Sequence, residues 1–81
     1  MDNEGRLITV FRQALNLPPE IVVEGLEYRK TPQWDSLAHM QLIAAIETEF
    51  DLMLETDDIL AMSSFSKARE IVSGHGNVIE A

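Results

Sequence analysis

The chain is 81 residues long, enough for a single domain spanning 1–81 and not for two. It contains no cysteine, which excludes a disulfide staple and a thiolate metal site and leaves any thiol chemistry to an attached group. A formal net charge of −8 disfavours nucleic acid and anionic lipid as partners.

That charge is unevenly spread. Asp35, Glu47, Glu49, Asp51, Glu55, Asp57 and Asp58 occupy a stretch with no Lys or Arg, and all six basic residues (Arg6, Arg12, Arg29, Lys30, Lys67, Arg69) lie outside it. Such a field attracts basic protein surfaces, although a plain solvated helix face has the same composition. The opening Met1-Asp2-Asn3-Glu4-Gly5-Arg6 lacks the basic start and apolar run of a secretory signal. Apolar runs fall far short of the roughly 20 residues that span a bilayer. The expectation is a cytoplasmic monomer with no membrane insertion.

In chain order, the first helix is expected over Glu4–Leu15. Leu7, Val10, Phe11, Ala14 and Leu15 recur at helical spacing, Asp2 or Asn3 supplies a cap, and Pro18-Pro19 stops the helix. A long connection over 16–34 follows, which Ile21, Val22, Val23, Leu26 and Tyr28 can tuck against a core. A strand at Ile21-Val22-Val23 would have no partner. Asp35 caps the second helix, and Leu37–Phe50 continues without Gly or Pro. Met40, Ile43, Ile46, Glu47 and Phe50 are expected to face inward, and Leu37, Gln41, Ala44 and Thr48 outward.

Thr56 reads as the cap of a short helix over Asp57–Ala61, with Asp57 and Asp58 in its first turn and Ile59 and Leu60 to bury. Ser63 or Ser64 caps a fourth helix, whose apolar face is Phe65, Ala68, Ile71 and Val72 and whose end is Gly74. Residues 75–81 read as a flexible tail. The sum is an all-α four-helix bundle, three main helices and one short one, with a long first loop.

Ser36 is where chemistry is expected. A serine in the first turn of a helix, after a long loop, is reachable. A phosphodiester on its hydroxyl would sit beside free backbone N–H groups and the positive helix end. Asp and Ser are also ordinary residues at a helix start. The surroundings carry more information. The run Asp35-Ser36-Leu37-Ala38-His39-Met40-Gln41-Leu42-Ile43-Ala44-Ala45-Ile46-Glu47-Thr48-Glu49-Phe50 resembles the modification site and following helix of acyl carrier proteins. The likeness extends through the short acidic helix to the helix led by Phe65.

The resemblance implies a covalent 4′-phosphopantetheine on Ser36, added from coenzyme A by a phosphopantetheinyl transferase that reads Asp35 and Leu37. It implies that the chain catalyses nothing itself and carries acyl thioesters to enzymes of fatty-acid, polyketide or specialised lipid synthesis. Leu37, Gln41, Ala44 and Thr48, with Glu47 beside them, would dock acyl-transferring or acyl-modifying partners through basic surfaces. Ala38, Gln41 and Thr48 stand where carriers of fatty-acid synthesis are often acidic, and Trp34 is not the usual small residue. Both departures suggest a specialised carrier. Alternative readings are an aminoacyl or peptidyl carrier of the D-alanyl type, and an unmodified acidic helical adaptor.

The remaining residues suggest less. His39 and His75 are too few and too far apart for a metal site, and Asp51–Asp58 lacks the calcium-loop pattern, although loose divalent binding remains compatible with it. His39 is expected near the arm or on the docking surface. It follows Ser36 by one helical turn and could approach it, but a nucleophilic serine also needs an orienting group, and the sequence shows no evident oxyanion hole or pocket there. Met40, Met53 and Met62 suit a core or a pliable cavity, and Trp34 suits packing under the loop.

Overall fold

The computed structural model describes residues 2–76. These form four α-helices, α1 (Asn3–Ala14), α2 (Ser36–Phe50), α3 (Thr56–Ala61) and α4 (Phe65–Gly74), with one 3-10 turn at Val23–Gly25. Among the described residues there is no strand; an isolated antiparallel bridge joins Glu27 to Ser64. No helix among them is long and apolar enough to cross a membrane.

α1 begins where Asp2 Oδ1 accepts the Gly5 N–H at 2.7 Å, the side-chain cap that replaces a missing helical acceptor. It buries Leu7, Val10 and Phe11. Asn16 then turns left-handed (φ +51°), and the Leu17 N–H reaches back to Arg12 O at 3.0 Å, which ends the helix just before the prolines. In the long connection Val23, Leu26 and Trp34 are buried and Ile21 and Tyr28 half-buried, whereas Val22, expected to tuck in with them, is 69% exposed. Phe11 is the hub. Its ring meets Trp34 and Phe65 edge-on, at centroid distances of 5.3 and 5.0 Å.

α2 starts at Ser36, capped by Asp35 Oδ1 accepting from Ala38 N–H at 2.9 Å, and stops at Asp51, which is left-handed with φ +51°. Its buried face is His39, Leu42, Ile43, Ile46 and Phe50. The inward placement of Met40 is therefore corrected. Met40 is 54% exposed, because the stripe is centred on His39 and Ile43 and leaves Met40 one step round the helix.

Around α3, the cap is Glu55 rather than Thr56. The Glu55 and Asp58 side chains each serve the other residue's backbone N–H, in a reciprocal box. Leu60 is 77% exposed, a second correction: on a six-residue helix only Ile59 turns inward, and it is half-buried. Ser64 caps α4 by accepting from Lys67 N–H at 3.1 Å. Phe65, Ala68 and Val72 are buried and Ile71 half-buried. Gly74 is the last helical residue, and the left-handed glycine lies two residues later at Gly76 (φ +94°). Within the stretch expected as a tail, His75 bonds through its N–H to Val72 O and through its ring to Asp58. The rest of the expected tail, 77–81, lies outside the described residues.

Tertiary links hold both ends of α2. The Arg6 guanidinium crosses from α1 to the end of α2, with Nε 2.8 Å from Glu49 Oε2 and its central Cζ 4.6 Å from the Phe50 ring centroid. The loop is pinned to the α3–α4 junction where Tyr28 N–H donates to Ser63 O at 2.9 Å and Phe65 N–H to Leu26 O at 3.0 Å. Those two bonds bring Tyr28 beneath the start of α2.

Candidate functional site

Ser36 is the first residue of α2 and is exposed. Its Oγ lies 3.2 Å from the Tyr28 hydroxyl, a hydrogen bond in which either group can donate. The first amides of a helix have no carbonyl partner within it, and together with the helix dipole they favour an anion at the Ser36 end. The adjacent Asp35 carboxylate is turned into the helix start, where it accepts from Ala38 N–H.

The expectation of no pocket at this site is corrected: beside Ser36 opens a mainly apolar cavity of about 240 Å³, lined by Tyr28, His39, Met40, Ile59, Leu60 and Met62 as well as Ser36 itself, residues from separate stretches of the sequence. Exposed Met40 and Leu60 thus form part of its rim, and Leu37, 70% exposed, adds apolar surface next to Ser36 in the chain. Of the three methionines singled out in the sequence, Met62 is core, Met40 is rim, and Met53 is exposed away from the cavity lining.

Of the two places expected for His39, the docking surface is corrected: the side chain is buried, and the ring forms part of the wall of the cavity beside Ser36. Nδ1 accepts from Trp34 Nε1–H at 2.9 Å, and Nε2 lies 2.9 Å from Ile59 O. An indole N–H can only donate and a carbonyl can only accept, so the ring is held as the Nε2–H tautomer, donating to Ile59. The ring is flanked by Tyr28 (4.9 Å between centroids) and Trp34 (5.9 Å). With both nitrogens engaged, His39 does not serve as a base for Ser36; it fastens α2 to α3 instead.

Leu37, Gln41, Ala44 and Thr48 are all exposed and run as one row along α2 from the Ser36 end. Thr48 Oγ donates to Ala44 O at 3.0 Å. Glu47 does not join them as a free carboxylate. It is half-buried, and its Oε2 accepts from Leu54 N–H at 2.9 Å, bracing the α2–α3 link. Trp34, expected to pack under the loop, is completely buried.

Also on α3, Asp58 Oδ2 lies 2.9 Å from His75 Nε2. That hydrogen bond, followed by the one from the Glu55 backbone N–H, holds the Asp58 carboxyl below its ordinary value. Among the described residues no group of three or more His, Asp or Glu side chains is placed to hold a metal ion.

The structure therefore brings Asp35, Ser36 and Leu37 together with Gln41, Ala44 and Thr48 on one side of α2, and it withdraws Glu47 and His39 into bracing roles. The residue that sequence reasoning did not place at the site is Tyr28. Its approach to Ser36 depends on the loop's long-range bonds to the α3–α4 junction, which leave no local pattern. No family model matches the chain, and neither a curated protein nor a solved structure matches it.

Proposed function

We propose that this chain is an acyl carrier protein, which holds acyl groups as thioesters on a 4′-phosphopantetheine arm esterified to Ser36. One observation carries the reading: the serine of Asp35-Ser36-Leu37, in a run that resembles the carrier attachment segment, is exposed at the first position of a 15-residue helix. The residues present fit such a group. The hydroxyl is open to solvent, its neighbouring carboxylate is turned into the cap, and an apolar cavity lies alongside.

When bound, the arm supplies the thiol that a cysteine-free chain lacks. The chain's own residues then do three things. The start of α2 stabilises the phosphate through unpaired amides and the helix dipole. Asp35 and Leu37 flank the serine and are read by the phosphopantetheinyl transferase. The row Leu37, Gln41, Ala44 and Thr48 meets partner enzymes, while the acidic stretch around it favours basic partner surfaces. Docking converts delivery of the acyl group into a local event at raised effective concentration. The row itself is uncharged, which suits a specialised carrier more than a housekeeping one.

A coenzyme A derivative bearing a fluorophore on its thiol tests this. With a broad-specificity transferase the chain becomes labelled, and the Ser36→Ala variant does not. If the folded chain stays unlabelled, it is not a carrier, and the acidic adaptor reading takes its place.

A further inference from the structure

Resting on the carrier reading, we infer that Tyr28 is a positioning residue for loading Ser36 and for holding the phosphodiester afterwards. In the bare chain its hydroxyl is the partner of Ser36 Oγ, at 3.2 Å. Its ring has little freedom to leave: it lies 4.9 Å from the His39 ring and 5.9 Å from that of Trp34, and its backbone N–H is bonded to Ser63 O. Arg29, which follows it in a left-handed conformation, places its guanidinium 5.9 Å from the same ring and adds positive charge there. The phenol is thus aimed at the reacting oxygen by a preassembled aromatic cluster, a geometry that favours reaction by restricting misaligned rotamers.

In the transfer, Ser36 Oγ bonds to the phosphorus of coenzyme A that bears the pantetheine. The bond from that phosphorus to the bridging oxygen breaks, and adenosine 3′,5′-bisphosphate leaves with the electron pair. The hydroxyl proton passes to a base of the transferase. When Tyr28 donates to Ser36 Oγ before the reaction, one of the two donor senses open to the pair, the Ser36 proton is left to face that base and the other Oγ lone pair to face the incoming phosphorus. After it, Oγ is an ester oxygen without a proton, Tyr28 remains the donor, and the charged phosphodiester oxygens are the stronger acceptors offered to it. A hydrogen bond to an ionised acceptor is stronger than the neutral one it replaces. Tyr28 also lines the cavity, so this bond directs the base of the arm along the cavity mouth.

The test compares the unsubstituted chain with Tyr28→Phe, which keeps the ring and its stacking and removes the hydroxyl. Loading by the transferase is followed kinetically, and ³¹P NMR is recorded on the loaded products. The expected result is a kcat for Tyr28→Phe lower by about tenfold, the value of roughly one well-made hydrogen bond, with KM little changed and a displaced phosphodiester resonance. Equal kcat and identical ³¹P shifts overturn the role of Tyr28 and leave the carrier reading standing. An unsubstituted chain that accepts no arm overturns both. Should Tyr28→Phe fold poorly, the ¹³Cζ resonance of Tyr28 in the unsubstituted chain decides: it moves on loading if the phenol changes partner, and an unmoved resonance overturns the inference.

Discussion

Trp34 and His39 form a buried polar contact inside an otherwise apolar core, and its satisfaction depends on both rings. Replacing Trp34 by Phe removes the indole donor that serves His39 Nδ1. Leaving a buried acceptor without a partner costs about 1–3 kcal/mol, so Trp34→Phe lowers the urea midpoint accordingly; a loss of only a few tenths would contradict this. Asp58 makes a pH-dependent contribution. Its carboxyl titrates below the ordinary value because of His75 and then Glu55. The stability it adds is therefore complete above the unfolded value of about 4 and is lost as pH falls through the lower folded value. Asp58→Asn flattens the fall of Tm in that acid window, and unchanged slopes would show that the pair is idle. Ser36 was legible at this scale because a capping sequence exposes the residue after it. The roles of Tyr28 and His39 were not, since each depends on partners supplied by folding: Ser36 through the pinned loop for one, Ile59 O twenty residues away for the other.

The helices differ in how much holds them. α1 and α4 each bury a clear stripe around Phe11 and Phe65. α3 has no fully buried residue. It is anchored by its flanks, Leu54 and Met62, and by the Ile59 O–His39 and Asp58–His75 hydrogen bonds. Its amides are expected to exchange with deuterium well before those of α1 and α2, since elements with few buried apolar contacts open first. Equal protection would contradict that picture. The same contrast explains which elements the sequence revealed. α1 and α4 alternate polar and apolar residues with a helical period. α2 is apolar on several sides, so its existence was legible but its inward face was displaced, placing Met40 inside and leaving His39 out of the buried stripe. α3 is only six residues long, too short for a period to distinguish Ile59 from Leu60.

Across the molecule, the dominant imbalance is charge: −8 in total, with the stretch 35–58 holding seven carboxylates and no Lys or Arg. The cross-helix pairs Arg6–Glu49 and Arg69–Glu4 relieve it only in part, since partly exposed ion pairs contribute about 1 kcal/mol or less. Raising ionic strength, or adding a divalent cation, screens the repulsion and should raise Tm, whereas no change or a fall would mean that self-repulsion is minor. The same imbalance surrounds the start of α2, where the helix dipole provides a local positive site for an anion. Intact-mass spectrometry of the chain after incubation with coenzyme A and a transferase examines that site most directly. The predicted spectrum shows a single phosphopantetheine adduct on the unsubstituted chain and none on Ser36→Ala; an unmodified chain, or an adduct that survives the substitution, would contradict the assignment of Ser36.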